Sequence, residues 1–314
     1  MEQLKNIIKN RAFELGFCEI GFARYEKLEK EIQNYIQWLK NGYSATMTYL
    51  EKNIDKREDV KLILEDVRTI IVTAYPYYNK FKHSSSLFKI SRYAWGEDYH
   101  KILADKLTKL VDFISDKIID FKCKIYVDTG PILEKSWAVR AGIGWQGKNS
   151  MIISRTYGSF IFLGIILTNI EFEPDKPIKD YCGTCTKCIE SCPTNAIVQP
   201  KVVDSRKCIS FWTIEAKPEY EIPSSIDLNG WIFGCDICQE VCPWNNKVKI
   251  TDDVAFFPRY NQTNLDKHFL ENLTPEIFKE RFKGSPIKRA KFEGLKRNFL
   301  HIIKNIEYYE QINQ

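Results

Sequence analysis

The sequence predicts an α/β (α+β) domain over residues 1–172, a cysteine-rich ferredoxin-like module over 173–246 and a small all-α region over 247–314. Three observations carry this. Helical and strand-like apolar patterns alternate through the first segment, eight of the ten cysteines lie between Cys182 and Cys242, and two amphipathic helical patterns follow a polar linker. A length of 314 residues with 44% hydrophobic content suits one large domain with a smaller appendage.

Residues 3–15 read as an amphipathic helix that passes through Gly16 into a strand over Phe17–Ala23. A second helix is expected over Glu29–Leu39. The β-branched density of RTIIVTAY, Arg68–Tyr75, predicts a buried strand. Apolar residues at Ile102, Leu103, Leu107, Leu110, Val111 and Ile114 predict a helix over Tyr99–Ile119, with a short strand at Lys124–Asp128 behind it. Gly142, Gly144 and Gly147 mark a turn before strands at Met151–Ser154 and Ser159–Leu167. From Glu171 the composition shifts to Pro, Asp, Lys and Cys, which marks a boundary. After the cysteines, helices are expected over Thr274–Phe282 and Pro286–Ile306, the second entered through its proline.

Several classes are disfavoured at once. The N-terminus alternates apolar and charged residues, unlike a signal peptide. The most apolar run, Gly158–Ile170, is thirteen residues, short of the roughly 20 that cross a bilayer. No GxGxxG follows the first strand and no GxxxxGK[ST] occurs, so a nucleotide cofactor has no support. A formal charge of +5 permits nucleic acid as a partner without requiring it. Cysteines in tight CxxC spacings without a leader point to metal ligation in a reducing, cytoplasmic setting. Cys18 and Cys123 stand apart in apolar surroundings and read as inert thiols.

Cys182, Cys185, Cys188 and Cys192 form CGTCTKCIESCP, the CxxCxxCxxxCP run of a ferredoxin-type cluster. Cys235, Cys238 and Cys242 repeat the motif as CDICQEVCP without its leading cysteine. Cys208, separated from Cys235 by 26 intervening residues, completes the set of eight. With the crossed ligation of two-cluster proteins, one [4Fe–4S] cube takes Cys182, Cys185, Cys188 and Cys242, and the other Cys192, Cys208, Cys235 and Cys238. A zinc ribbon is the competing reading, but it has no use for the CxxxCP limbs ending at Pro193 and Pro243. Such clusters relay single electrons, so a substrate or second cofactor is expected in the first domain.

SRYAWGEDYH (Ser91–His100), VDTGPILEKSWAVRAGIGWQGKNSMII (Val127–Ile153), CISFWTIE and GCDICQEVCPWN (Gly234–Asn245), with the first cysteine run, extend over nearly the whole chain. Together they resemble the epoxyqueuosine reductases, cobalamin-dependent iron–sulfur enzymes that complete queuosine in tRNA. The resemblance implies a base-off cobalamin without a protein histidine ligand, held in a first domain of nitroreductase-like character. It also implies tRNA as substrate, a flavodoxin or ferredoxin as donor, a monomer, and a HEAT-like helical C-terminus.

Asp128 matches the family's proton donor, and desolvation against corrin and apolar walls is expected to keep it neutral. Without the resemblance, Asp-Thr-Gly is ordinary turn chemistry. By the same matching, Arg57, Ile152, Ser154, Ser210, Asp236 and the Cys235 main chain are candidate cobalamin contacts, and Arg57 reads equally well as a solvated helix residue. Asp98 with His100, and Asp266 with His268, imitate a DxHxxG cobalamin motif but lack its glycine. His100 is read as a locally satisfied helix-start residue.

Nine Lys or Arg against two acidic residues between Lys279 and Lys304 make a basic face, with Lys288, Arg289, Lys291 and Arg297 as candidate tRNA contacts. A solvated helix surface would look the same. Rival functions are a reductive dehalogenase-like corrinoid reductase, a non-catalytic ferredoxin with a docking domain, and a flavin-dependent nitroreductase-like enzyme.

Overall fold

A computed structural model describes residues 1–84, 87–259 and 261–312. The first part of the chain runs α1 (Glu2–Glu14), β1 (Glu19–Arg24), α2 (Glu29–Lys40), α3 (Ile54–Glu58), β2 (Thr69–Pro76), β3 (Lys89–Ile90), α4 (Tyr99–Ser115), β4 (Cys123–Tyr126), α5 (Glu134–Arg140), β5 (Trp145–Gln146), β6 (Ile152–Ile153) and β7 (Ile161–Thr168). The cysteine region adds α6 (Lys187–Glu190), β8 (Ile197–Gln199), β9 (Val202–Val203), β10 (Trp231–Phe233) and α7 (Ile237–Glu240). The C-terminal region holds α8 (Lys267–Glu271), α9 (Pro275–Arg281) and α10 (Lys291–Ile312).

The main sheet has the order β1-β2-β7-β4, with every pairing antiparallel. The alternation of helices and strands would ordinarily feed a parallel sheet, so the α+β description is the one that holds. β2 is buried along its whole length because helices cover both faces. Ile71 and Tyr75 face one core with Ile8 of α1 and Leu103, Leu107 and Leu110 of α4. Ile70, Val72 and Ala74 face another with Trp137, Ala138 and Ala141 at α5. At Gly21 the end of α5 comes so close that an added Cβ would stand 1.9 Å from the Ala141 carbonyl oxygen.

Packing crosses both boundaries expected from the sequence. β3 pairs in parallel with β10. Phe88, Ile90 and Trp95 share a core with Trp231, Ile232 and Phe233 and with Leu295, Phe299 and Ile302 of α10. In return, Phe256 joins the core of the main sheet, and Asp253 accepts a 2.6 Å hydrogen bond from the Tyr75 hydroxyl. Composition marks where cysteines begin but not which strands will pair, so these exchanges were invisible in the sequence.

The helix expected over Pro286–Ile306 is broken. Pro286–Ala290 wind as a 3-10 helix capped by Ser285, and Lys291, at the junction where α10 begins, takes a positive φ of 59°. Buried Ile287 and Ala290 continue the apolar period of Leu295 and Phe299, which made one helix of two segments in the sequence. No described helix is long and apolar enough to cross a membrane.

Candidate active site and cysteine centre

The eight clustered cysteines gather into two neighbouring sets. Cys182, Cys185, Cys188 and Cys242 line one cavity of about 200 Å³ with Trp244, Tyr181 and Lys187. The Cys188 thiol is pushed up by burial and then by the charges of Cys242, Cys182 and Cys185. Burial likewise raises Cys238, with Cys208, Cys188 and Cys192 adding to it, and raises Cys235 with Cys238 and Cys208 nearby. Cys192, Cys208, Cys235 and Cys238 therefore form the second set, with Cys188 the bridge to the first. Thiols crowded this way repel one another as thiolates, and iron–sulfur cubes supply the positive centres that such a donor set fits.

The short helices α6 and α7 build both sets in the same way. α6 follows Cys182 and Cys185, and α7 follows Cys235; each carries the next cysteine of its motif, Cys188 or Cys238, and leads to the last, Cys192 or Cys242, before a proline. Within the second set, the Ser210 hydroxyl and the main-chain N–H groups of Ser210 and Phe211 donate toward the Cys208 sulfur.

Asp128 stands just beyond β4 at a left-handed φ of 57°, a conformation costly for a residue other than glycine. Its main-chain N–H donates to Glu134 Oε1 at 2.7 Å at the start of α5. Its Oδ2 accepts from the Tyr99 hydroxyl at 2.8 Å and lies 3.5 Å from His100 Nε2. The other imidazole nitrogen, Nδ1, is 2.8 Å from Asp98 Oδ1, and Asp98 is the N-cap of α4. Tyr99 is held flat between the His100 ring at 4.0 Å and the Phe162 ring at 4.2 Å. The Asp128 side chain is 64% exposed although protein crowds it on several sides, the condition of a group inside an open cleft.

The electrostatics differ from the sequence expectation. Asp128 is held below the usual carboxylate range, chiefly by hydrogen bonding from His100, because this and the Tyr99 hydrogen bond outweigh desolvation. His100 is the group that gains a proton: burial opposes its charge, but Asp128 and Asp98 raise it to about 9. Glu134 is pushed up to about 8 by burial and then by the Asp128 charge. Near neutral pH the cleft thus holds an imidazolium and a neutral carboxylic acid around an ionised Asp128. His100, Tyr99 and Glu134 were missed as site residues, although GEDYH and ILEKSW stood in the motifs quoted for the resemblance.

Lys135, next along α5, is exposed yet crowded, with the charges of Asp128, Glu134 and Cys238 acting on it. The second cysteine set therefore borders the cleft. Glu215, whose charge acts on Tyr93 together with that of Asp128, accepts two hydrogen bonds from Arg289 at 2.6 and 2.7 Å. Lys288, beside it, helps to hold Asp98 in its charged form.

The other expected contacts separate by accessibility. Arg57 is 8% exposed, stacks over Tyr35 and keeps its Nε buried without an acceptor, an orphan that a cofactor amide or phosphate edge would satisfy. Ser154 is fully buried: its hydroxyl donates to Glu19 and accepts from the N–H groups of Thr156 and Tyr157. Asp236 is fully buried too, accepting from the Ser91 hydroxyl and from Arg92 N at 2.8 Å. Ile152 fills the core beside α5. Ser154 and Asp236 have no surface to offer a cofactor, which corrects their assignment. Arg297 is likewise spent on the fold, since its guanidinium donates to the carbonyls of Trp212, Ala216, Lys217 and Tyr220. Asp98 and Asp266, the aspartates of the imitated cobalamin motif, are both helix N-caps.

Residues 57–129 match the family model "Epoxyqueuosine reductase QueG, DUF1730", and residues 181–245 match "4Fe-4S double cluster binding domain". An epoxyqueuosine reductase of Cellulophaga algicola is 41% identical over 95% of this chain and 97% of its own. The chain belongs to the epoxyqueuosine reductase family. Its relative from Atelocyanobacterium thalassa is 43% identical over 93% of this chain and 96% of its own. Among solved structures, an epoxyqueuosine reductase with an epoxyqueuosine-modified tRNA-Tyr stem loop superposes with a TM-score of 0.90. It is 32% identical over 98% of this chain and 82% of that one. The Bacillus subtilis reductase, solved with an aspartate-bearing catalytic loop swung out of its active site, has a TM-score of 0.88 at 32% identity over the same shares.

Proposed function

We infer that this chain is an epoxyqueuosine reductase that converts epoxyqueuosine to queuosine in the anticodon loop of tRNA. The observation that carries the reading is the full-length family identity combined with the Asp128–Tyr99–His100 group in a cleft bordered by the second cysteine set. The reaction removes the epoxide oxygen as water, consuming two electrons and two protons and leaving an alkene.

The eight cysteines are proposed to hold two [4Fe–4S] clusters in the crossed arrangement. A base-off cobalamin is proposed in the cleft, held through Arg57 and the half-buried surface at Ser210 and Cys235. When bound, it supplies the low-potential reducing centre for carbon–oxygen cleavage. The polypeptide contributes the protons. Asp128 is the group aimed at the leaving oxygen, and His100 and Glu134 hold the protons that resupply it. Cofactor and base would expel water from the cleft, which raises the proton affinity of Asp128 by desolvation and draws the His100 proton toward it. The left-handed turn at Asp128, with little more than Glu134 holding its main chain, suits a loop that swings as in the Bacillus subtilis relative.

Lys288, Arg289 and Lys291, exposed around the 3-10 turn, are proposed to meet tRNA phosphates while the modified base is splayed into the cleft. On this reading residues 247–314 are a short HEAT-like platform. The enzyme works in the cytoplasm, where its substrate lies and thiols stay reduced.

The test is anaerobic turnover of epoxyqueuosine-bearing stem loop with added cobalamin, read by mass spectrometry of the digested nucleosides. Asp128→Asn should keep iron and corrinoid content and lose turnover. Turnover retained by that variant would remove Asp128 from the mechanism.

A further inference from the structure

Among the described residues, Cys185 alone of the ten cysteines is exposed. It belongs to the set of Cys182, Cys188 and Cys242, which opens outward, whereas the set containing Cys238 borders the cleft. The two sets therefore have an order: electrons from outside reach the first before the second.

The ground around Cys185 is cationic and aromatic. Lys148 and Lys187 line the cavity with Tyr181, Pro243 and Trp244. Tyr181 is 39% exposed, and its ring packs on those of Trp145 and Trp244 at 5.3 and 5.7 Å. The exposed Arg155 lies over the Tyr181 ring at 5.2 Å. Lys148 donates to the Gly183 carbonyl beside Cys182, and the Lys148 carbonyl accepts from Lys201 N, which joins Lys201 to the same rim. Lys247 follows Trp244 by three residues and is exposed. Two carboxylates lie here as well: Asp180 pairs with Lys201 at 2.8 Å and accepts from Cys182 N, and Glu190 accepts from the Thr186 hydroxyl and keeps its charge, so the five cations outnumber the two carboxylates.

We propose that the rim formed by Lys148, Arg155, Lys187, Lys201 and Lys247 around Tyr181 and Cys185 is the docking surface for an acidic one-electron carrier protein. The proposal rests on the two-cluster reading. A ring of cations around an exposed aromatic and a solvent-facing ligand is complementary to a carrier whose redox group is ringed by carboxylates. Charge of this kind acts on encounter more than on final affinity, so it appears in rates and in their salt dependence. In each encounter the reduced carrier gives one electron to one oxidised cluster, with no bond made or broken. Two encounters supply the two electrons of a turnover.

The experiment uses the full chain carrying both clusters, with anaerobic flavodoxin hydroquinone of acidic composition as the probe. Loss of cluster absorbance is followed by stopped flow. Arg155→Glu combined with Lys247→Glu should slow bleaching by flavodoxin at low salt about tenfold or more and flatten its dependence on salt. Dithionite, which needs no docking surface, should bleach parent and variant to the same extent, with iron content unchanged. A variant reduced by flavodoxin within about twofold of the parent rate would overturn the proposal. So would equal slowing by Lys109→Glu on α4, which would reveal a general charge effect. Protein that holds no iron would overturn the cluster reading itself, a failure that iron analysis separates from the docking result.

Discussion

Asp98→Asn isolates one charge in the proton-holding group of the cleft. Asparagine still accepts the His100 Nδ1 proton and still caps the first turn of α4, so geometry and helix are kept while the carboxylate charge is lost. In the native protein, burial opposes the imidazolium, yet Asp128 and Asp98 raise His100 from 6.5 to about 9. An opposite charge at this range shifts a pKa by roughly 1–3 units. The His100 side chain is 34% exposed and water screens it, so the lower end applies: about 1 unit, or about 1.4 kcal/mol.

His100 is a base with a raised pKa, so its proton is present below that pKa and lost as pH rises through it. The alkaline limb of single-turnover deoxygenation should move from about 9 to about 8, lowering the rate at pH 9 about fivefold and barely changing it at pH 7. The same linkage acts on stability: His100 stabilises the fold fully below its unfolded pKa near 6.5, and this is lost through about 9. The melting temperature of Asp98→Asn should therefore fall at pH 6 and match the parent at pH 10. An alkaline limb that stays near 9, with equal melting temperatures at pH 6, would refute the coupling of Asp98 to the imidazolium.

Other outcomes follow from the same geometry. Cys185→Ala and Cys208→Ala should each remove a different cluster signal in electron paramagnetic resonance, while Cys242→Ala should match Cys185→Ala; a match to Cys208→Ala would reverse the crossing. Arg297→Met leaves four carbonyls without their donor and should cost about 3 kcal/mol in denaturant unfolding, whereas a solvent-facing phosphate contact would cost little. Gly21→Ala drives a methyl group into the Ala141 carbonyl and should destabilise by about 3 kcal/mol, visible as a lowered midpoint of thermal melting. Lys288→Glu with Lys291→Glu should weaken stem-loop binding and flatten its salt dependence at unchanged iron content.

The parts that were legible in the sequence are those fixed by local chemistry. The CxxCxxCxxxCP spacing reads as a metal-binding loop because three thiols on one short loop converge on one cavity, where Cys242 joins them, and the β-branched run of β2 reads as a strand because it is buried on both faces. What stayed hidden depends on distant residues. The low proton affinity of Asp128 was not foreseen because the expectation weighed desolvation against corrin and apolar walls, whereas His100 and Tyr99 reach the carboxylate from α4. Arg297 looked like part of a basic face because a helical repeat counts charges and cannot see the carbonyls of the 212–220 segment turned toward it. Ser154 and Asp236 sit beside promising motifs, yet their side chains complete turns and caps inside the fold.

The most direct measurement is anaerobic conversion of an epoxyqueuosine stem loop by protein loaded with iron, sulfide and cobalamin. The account predicts about eight irons per chain and a nucleoside that has lost one oxygen atom to become queuosine. Protein that binds zinc in those thiols, or that is fully iron- and corrinoid-loaded and returns the epoxide unchanged under low-potential reduction, would contradict it.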